Sequence, residues 1–279
     1  MLKRIFVLFC LFVSVSNAGF AQGKKVSKIV LDAGHGGKDV GAVGRISQEK
    51  ELTLAVVLRL GKILKDSLKD VEVIYTRTSD YYPTLVERHE IANKNKGDLF
   101  ISVHVNATAG TRTRVITGYK KVKRGSKTIK QPIYKTVHKK ETSASGTETY
   151  VLGLHRNSQK EGAIEEHGDH IVQEPGLLNV DDPQTAIIIA QYSQAFLSRS
   201  VSLGSKIQEN FASQGRRDAG VKQMGLEVLA GSAMPGVLVE IGFINNPEEE
   251  IYLNSEAGQH EVAMAIYRGI KAYKQEAER

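Results

Sequence analysis

The stretch IVLDAGHGG, residues 29–37, decides the fold class, because a buried strand runs directly into a glycine-rich turn. One histidine, His35, lies inside this turn with Gly34 and Gly36 on either side. Glycine adopts backbone conformations that a β-carbon disfavours, so the chain can turn sharply here. In open α/β sheets, ligands bind at the carboxyl ends of the strands. The stretch therefore predicts a strand of an α/β sheet that ends in a candidate ligating histidine.

Strands and helices alternate along the rest of the chain. Further strands are predicted in VEVIYTR, DLFISVHVNA, TETYVLGL, VKQMGLEVLAG and VLVEIGF, and helices over residues 49–68, 85–95, 186–211 and 256–273. This alternation is typical of a largely parallel sheet that is covered on both faces. We predict one α/β domain with a twisted, mostly parallel sheet of about six strands, helices on both faces and two insertions.

The N-terminus has the composition of a signal peptide over residues 1–22. Lys3 and Arg4 precede the apolar run IFVLFCLFVSVS, and small residues follow in NAGFAQG. The run is shorter than the ~20 apolar residues that span a bilayer, and an uncleaved anchor is the alternative. We predict cleavage near Gln22, a mature domain over residues 23–279, export to the periplasm or cell envelope, and no stable membrane anchor.

Two segments lack the apolar periodicity of a packed element. Residues 107–146 form a basic insertion, with eleven Lys or Arg and no acidic residue across residues 110–140. Such a segment predicts a β-hairpin or mobile arm that contacts an anionic polymer, with a solvated hairpin as the alternative. We expect no nucleic acid partner for an exported chain. Residues 155–184 form a second insertion, which is polar and acidic.

Histidines and carboxylates stand where the predicted strands end. His35 follows the first strand, His104 lies near the end of DLFISVHVNA, and Glu49 and Glu51 open the first long helix. Two imidazoles and one carboxylate form a catalytic zinc pattern in which a fourth position stays open for water. Each histidine alone could instead be a turn or core histidine with satisfied hydrogen bonds. Thiolate ligands are excluded from the predicted mature chain, because the only cysteine, Cys10, lies within the predicted signal peptide.

Glu240 lies in the apolar strand GVLVEIGF, with no charged neighbour across residues 233–246. A carboxylate buried there is costly unless it is paired or coordinated. One interpretation is a structural salt bridge, and the other is a general base whose pKa is tuned by its surroundings. Asp32, in the first strand, either orients a metal ligand or caps the strand end.

Five motifs together resemble the zinc-dependent N-acetylmuramoyl-L-alanine amidases that cleave peptidoglycan. These motifs are DAGHGGKDVGA, QEKELTL, LFISVHVNA, VLVEIGFINNPEEE and, more weakly, RRDAGVKQMGLEVL. They follow the order of the family and cover nearly all of residues 27–275. One departure is Val40, which stands where the family often has proline, but the flanking Asp39 and Gly41 are retained.

The resemblance implies a cofactor, a substrate and roles for four residues. His35, Glu49 and His104 match the family's zinc ligands, which selects Glu49 over Glu51, and Glu240 matches its catalytic glutamate. The implied cofactor is Zn²⁺. The implied reaction is hydrolysis of the amide between N-acetylmuramic acid and L-alanine in peptidoglycan, in cell wall remodelling or daughter-cell separation.

The resemblance also bears on the second insertion. Relatives of this family hold an inserted helix across the metal, with a glutamate in the open position. The matching region here is QKEGAIEEHGDHI, so Glu165 or Glu166 is the implied autoinhibitory ligand, and an activator protein would displace residues 155–184. Gly162 and Gly168 weaken such a helix by ~1 kcal/mol each relative to alanine. A plain surface loop is the alternative.

Two rival functions remain open for the same residues. One is an exported module that binds peptidoglycan through the basic insertion without catalysis. The other is a zinc carboxypeptidase that acts on wall peptides. The complete set of His35, Glu49, His104 and Glu240 favours an enzyme over a binding module.

Overall fold

A computed structural model gives the conformation of residues 25–168, 178 and 183–279. The predicted signal peptide lies outside these residues. Within them, no helix combines the length and the apolar composition that crossing a membrane requires.

Eight strands are numbered here along the described chain. Their bounds are β1 Lys28–Ala33, β2 Glu72–Tyr75, β3 Leu99–Asn106, β4 Thr111–Arg124, β5 Lys127–Lys139, β6 Thr147–Leu152, β7 Asp218–Met224 and β8 Gly236–Phe243. Six of them form the central sheet in the spatial order β2-β1-β3-β8-β6-β7. The edge at which β1, β3 and β8 end is called the carboxyl edge, and the edge at which they begin is called the amino edge.

The parallel half of the sheet consists of β2, β1, β3 and β8. Ala33 of β1 is level with Val103 of β3, and His104 of β3 is level with Glu240 of β8. The polar residues that were predicted at strand ends therefore meet at the carboxyl edge.

The two remaining strands of the sheet run in the opposite direction. β6 pairs antiparallel with β8, with Glu148 level with Glu240 and Tyr150 level with Leu238, and β7 pairs parallel with β6. The prediction of a mostly parallel sheet of about six strands is confirmed. Because of the reversal, β6 begins at the carboxyl edge and ends at the amino edge.

The helices of the described residues cover both faces of this sheet, as predicted. Their bounds are α1 Glu49–Ser67, α2 Leu85–Lys94, α3 Asn157–His167, α4 Pro183–Ser213, α5 Glu227–Ala230, α6 Pro247–Asn254 and α7 Glu256–Ala277. Leu60 of α1, Ile207 of α4 and Ile266 of α7 share one core. Ala92 of α2 and Leu229 of α5 belong to the core on the other face.

The basic insertion forms a separate two-stranded antiparallel sheet from β4 and β5, which confirms the predicted hairpin. Its base is fixed by Asn245, which lies just beyond β8. The Asn245 side-chain amide donates to the carbonyl oxygens of Thr108 and Lys140 at 2.9 and 2.8 Å. The backbone N–H of Thr108 donates back to the Asn245 side-chain oxygen at 3.2 Å. The hairpin is therefore attached to the carboxyl edge.

Candidate metal centre

The turn after β1 has an unusual backbone conformation. His35 has a φ of 60°, which is sparsely populated by residues that carry a β-carbon. The N–H of Gly34 continues the sheet by donating to the Val103 carbonyl oxygen at 3.0 Å. A β-carbon at Gly34 would collide with the imidazole of His104. Glycine is required at this position because the two histidine-bearing segments approach so closely.

Two buried arginines hold this turn through its carbonyl oxygens. Arg77 donates to the carbonyls of Ala33 and Gly34 at 2.9 and 2.8 Å. Arg88 donates to the carbonyls of Ala33 and His35 at 2.7 and 2.6 Å. These charge-assisted bonds offset the cost of the positive φ at His35. Sequence reasoning missed both arginines, although Arg77 stands directly at the end of VEVIYTR.

Asp32 supports the turn through Arg88 and not through an imidazole. Its fully buried carboxylate accepts hydrogen bonds from Thr76, Ser102 and Arg88, each at 2.6 Å. Burial opposes ionisation of Asp32, but the Arg88 charge and these hydrogen bonds outweigh burial and lower its pKa. The suggestion that Asp32 orients a metal ligand is thus replaced by a role in anchoring Arg88.

His35, Glu49 and His104 form one compact group at the carboxyl edge. Each contributes one potential ligand atom, and the three atoms all lie within 4.8 Å of one another. His35 Nε2 lies 3.2 Å from Glu49 Oε2, and His104 Nδ1 lies 2.9 Å from Glu49 Oε1. Groups of three or more His, Cys, Asp or Glu side chains can hold a metal ion. Within the described part of the chain, His35, Glu49 and His104 form the one such group.

The Glu49 carboxylate is buried and fixed in place by the backbone. It accepts hydrogen bonds from the N–H groups of Ala42 and Val105 at 2.8 and 3.0 Å. Burial raises its pKa, but hydrogen bonds from both imidazoles and their charges outweigh burial and hold the pKa far below its usual range. Glu51, the alternative from the sequence, instead accepts from the N–H of Gln48 at 3.0 Å and caps α1.

Asp39 is a further site residue that sequence reasoning did not assign. Its Oδ2 lies 2.9 Å from His35 Nδ1, on the opposite side of the ring from Glu49. A carboxylate behind an imidazole fixes the ring orientation and strengthens the nitrogen that faces a metal. The spacing of four residues from His35 to Asp39, inside DAGHGGKDVGA, was the available signal.

Glu240 lies on β8 beside His104, where the register pairs the two residues. Its Oε2 is buried and has no hydrogen-bond partner among the residues that the structure describes. Burial, together with the negative charges of Glu49 and Glu148, raises the pKa of Glu240 to about 7 against the opposing effect of the two histidines. Within the described part of the chain, the buried Oε2 of Glu240 has no hydrogen-bond partner, which does not fit a structural salt bridge at this atom.

A family model described as N-acetylmuramoyl-L-alanine amidase matches residues 29–272. The chain belongs to the N-acetylmuramoyl-L-alanine amidase family. This family's reaction is hydrolysis of the amide bond between N-acetylmuramic acid and L-alanine in peptidoglycan.

Individual members of the amidase family are similar over most of this chain. The amidase AmiA of Escherichia coli strain K12 is 31% identical over 253 residues, which are 90% of this chain and 76% of AmiA. The amidase AmiC of E. coli O6:H1 strain CFT073 is also 31% identical, over 248 residues, which are 88% of this chain. The match spans only 52% of AmiC, about half of its length.

A solved amidase structure has the same fold. The CwlD amidase from Clostridioides difficile, in complex with the GerS lipoprotein, is 23% identical, with a TM-score of 0.58. The match covers 88% of this chain and 98% of that one.

The structure does not bring Glu165 or Glu166 into the metal-binding group. Both are exposed on α3, and Glu166 Oε1 lies 3.6 Å from His167 Nε2. The opposite side of α3 is buried, where Lys160 donates to the carbonyl oxygens of Leu229 and Met234 at the amino edge. This placement does not fit the expected autoinhibitory contact. α3 lies at the amino edge because β6, which precedes it, runs antiparallel to β8.

The ligand atoms of the group suit a catalytic zinc ion. Two imidazoles and one carboxylate, contributed by distant segments, are a common ligand set for catalytic zinc, with a further position open to substrate or water. The side chains of His35 and His104 are 23% and 19% exposed, so the group is reachable from solvent. A β-carbon at Gly41 would lie 2.6 Å from both Glu49 Oε2 and the His35 ring, so glycine keeps this space open.

Proposed function

We propose that His35, Glu49 and His104 bind one Zn²⁺ and that the chain hydrolyses the amide between N-acetylmuramic acid and L-alanine in peptidoglycan. One observation carries the proposal: the three ligand atoms lie together beside the unpaired carboxyl oxygen of Glu240. A bound zinc ion supplies Lewis-acid chemistry, since it polarises a carbonyl group and makes water more acidic.

Glu240 is the residue that we assign to proton transfer. Its carboxylate accepts a proton from the attacking water and then gives this proton to the nitrogen of the leaving L-alanine. The carbon–oxygen bond forms at the lactyl carbonyl while the carbon–nitrogen bond breaks. A general base with a pKa near 7 is present in both protonation states at neutral pH.

We also propose the cellular setting of this reaction. Residues 1–22 act as a cleaved signal peptide, and residues 23–279 work in the periplasm or cell envelope on cell wall remodelling or daughter-cell separation. Residues 107–146 and 155–184 are insertions in this domain. The CwlD complex with a lipoprotein supports the expectation that an activator protein contacts this domain.

Digestion of purified sacculi tests the proposed activity. Enzyme with one equivalent of zinc should release stem peptides that carry a free N-terminal L-alanine, and a chelator should stop the release. Trimming of stem peptides from their carboxyl ends would instead identify a carboxypeptidase. Binding to sacculi without any product, by zinc-loaded protein, would identify a binding module.

N-terminal sequencing of the protein from an envelope fraction tests export. The expected mature terminus lies near Gln22. A terminus at Met1 on membrane-associated protein would show that the segment is an uncleaved anchor.

A further inference from the structure

The hairpin of β4 and β5 carries cations on both of its faces. Among the hairpin residues whose side chains are described, the pairing register places Lys120, Arg124, Lys127 and Lys135 on one face and Arg114, Lys121, Lys123 and Lys130 on the other. All eight are exposed. With no acidic residue across residues 110–140, this hairpin produces a strong positive potential along its whole length.

Apolar side chains lie between these cations and are exposed as well. Val115, Ile129, Ile133 and Val137 share the first face, and Ile116, Tyr119 and Tyr134 share the second. Long charged side chains interleaved with exposed aromatic and branched residues are unusual for a purely solvated ribbon, because large exposed apolar patches mark interaction sites. The composition therefore indicates a binding surface for a partner that is both anionic and partly apolar.

A β-bulge builds a cleft into this surface. The register shifts between Ile116 and Gly118, and a cleft of about 440 Å³ opens there, lined by Arg114, Lys120, Gln131, Pro132, Ile133 and Tyr134. The Arg114 guanidinium lies 4.7 Å from the centre of the Tyr134 ring. Bulges increase the local twist of a hairpin, which turns side chains from both faces toward one groove. The cleft thus combines two cations, a side-chain amide and an aromatic ring.

The hairpin leaves the carboxyl edge directly beside the metal-binding group. β3 carries His104 and ends at Asn106, five residues before β4 begins. Asn245, which holds Thr108 and Lys140 at the base of the hairpin, follows the strand of Glu240. A polymer bound along the hairpin would therefore pass close to the group of His35, Glu49 and His104.

We propose that this hairpin is a binding arm for peptidoglycan and that its cleft receives a carboxylate of a stem peptide. The proposal rests on the proposed function for the identity of the polymer. Peptidoglycan offers carboxylates at repeated intervals along a linear chain, which matches cations spaced along a ribbon about 13 residues, or ~40 Å, long. A flat anionic membrane fits less well, since it would contact one face only.

The tip of the hairpin supports this choice of partner. Arg124, Gly125, Ser126 and Lys127 form the turn, and none of them could insert into a lipid bilayer as an apolar wedge. The apolar residues instead lie along the strands, where they can pack against sugar rings and peptide side chains.

Co-sedimentation with purified sacculi tests the arm. The assay uses a Glu240→Gln background, so that the sacculi stay intact whether or not the chain is an amidase. We expect the affinity to fall about tenfold between 50 and 500 mM NaCl, because salt screens exposed charges. Adding Arg114→Gln and Lys120→Gln should lower the affinity at 50 mM NaCl about fivefold or more.

A matched control removes the same charge elsewhere. Lys69→Gln with Lys271→Gln changes two exposed lysines outside the arm and should leave sacculus binding unchanged. Circular dichroism and metal content confirm that each variant folds. Unaltered sacculus binding by the Arg114 and Lys120 variant, or binding that salt does not weaken, would overturn the proposal. Equal charge-dependent binding to phosphatidylglycerol vesicles but not to sacculi would replace peptidoglycan with a membrane.

Activity separates this proposal from the proposed function. With Glu240 restored, the control variant Lys69→Gln with Lys271→Gln should cleave a small soluble muramoyl peptide and intact sacculi at the wild-type rate. The arm variant should cleave intact sacculi several-fold more slowly. Failure of every variant to cleave either substrate would refute the proposed function, while the sedimentation result would still decide the role of the arm.

Discussion

Ionisable side chains are buried at both edges of the central sheet, but the hydrogen bonds of these side chains are incomplete at the carboxyl edge and complete at the amino edge. At the carboxyl edge, Oε2 of Glu240 is buried and finds no hydrogen-bond partner within the described ranges. At the amino edge, the buried ammonium of Lys160 donates to the carbonyl oxygens of Leu229, Ser232 and Met234. The three donors of Lys160 are thus used by the protein itself.

This difference separates structural from functional polar groups. A buried donor whose hydrogen bonds are complete stabilises the fold and has no capacity left for a ligand. An unpaired buried carboxyl oxygen beside two imidazoles costs stability, and such a cost is typical of active sites. The polar groups of the carboxyl edge thus serve chemistry, and those of the amino edge serve the attachment of α3.

Loss of a metal ligand should have the largest effect. His104→Ala removes one of the three ligands, so bound zinc and hydrolysis of sacculi should both disappear. Elemental analysis and the release of free L-alanine termini measure the two effects. His260→Ala, an exposed histidine on α7, is the matched control and should keep both. One equivalent of zinc in folded His104→Ala protein would show that His104 is not a ligand.

Glu240→Gln should keep the metal but lose turnover by ~10²–10⁴-fold, the usual contribution of a general acid–base residue. Glu240 must be ionised to accept a proton, and burial raises its pKa to about 7. The wild-type rate should therefore be low below pH 7 and increase as the pH rises through about 7. Rate–pH profiles measure this limb. Glu209→Gln, on the exposed face of α4, should match the wild type, and near-normal turnover by Glu240→Gln would remove Glu240 from the mechanism.

Asp39→Asn tests the carboxylate behind His35. The amide no longer supplies the negative charge that strengthens the ligating imidazole, so metal affinity should fall ~10–100-fold while the fold persists. Competition with a chelator of known affinity measures the change. Asp66→Asn, an exposed residue paired with Lys62, is the control. An unchanged zinc affinity in Asp39→Asn would limit Asp39 to a role in the loop.

Lys160→Met probes the amino edge, where stability and not metal content should change. Three carbonyl oxygens lose their donor, so the free energy of unfolding should fall by about 1–3 kcal/mol. Burial lowers the pKa of Lys160 from 10.5 to about 7 in the folded state. Between these two pKa values the unfolded state binds more protons than the folded state, so the free energy of unfolding of the wild type should increase as the pH rises. Denaturant unfolding at several pH values should show this gain shrink in the variant. A loss of zinc in folded Lys160→Met protein would contradict the separation of the two edges.

The smallest effect is expected for Glu165→Ala combined with Glu166→Ala. Both side chains are exposed on α3, so hydrolysis of sacculi should stay within about twofold of the wild-type rate, as for other surface substitutions. A several-fold increase would instead restore these glutamates as autoinhibitory ligands in another arrangement of α3.

The parallel half of the sheet, and the residues at its carboxyl edge, could be predicted from the sequence. His35, His104 and Glu240 could be placed because each stands at or near the end of an apolar run, and parallel strands end together. The choice between Glu49 and Glu51 needed the resemblance. The hydrogen bond from the Gln48 N–H to Glu51 now gives its physical reason.

The direction of β6 could not be predicted, because apolar periodicity is the same for a parallel and an antiparallel strand. The position of α3 at the amino edge, with Glu165 and Glu166 exposed to solvent, depends on this direction. Arg77 and Arg88 were missed for a different reason. Their roles depend on contacts with backbone carbonyl oxygens, which no spacing rule along the chain expresses.

The group of His35, Glu49 and His104 contains nitrogen and oxygen donors but no sulfur, and this has a consequence for oxidative damage. Peroxide and other oxidants dismantle thiolate metal sites by oxidising cysteine, and they have no such target among these three ligands. Acid acts differently, because protons compete with a metal ion for the imidazole nitrogens. This centre should therefore tolerate an oxidising environment and fail first in an acidic one.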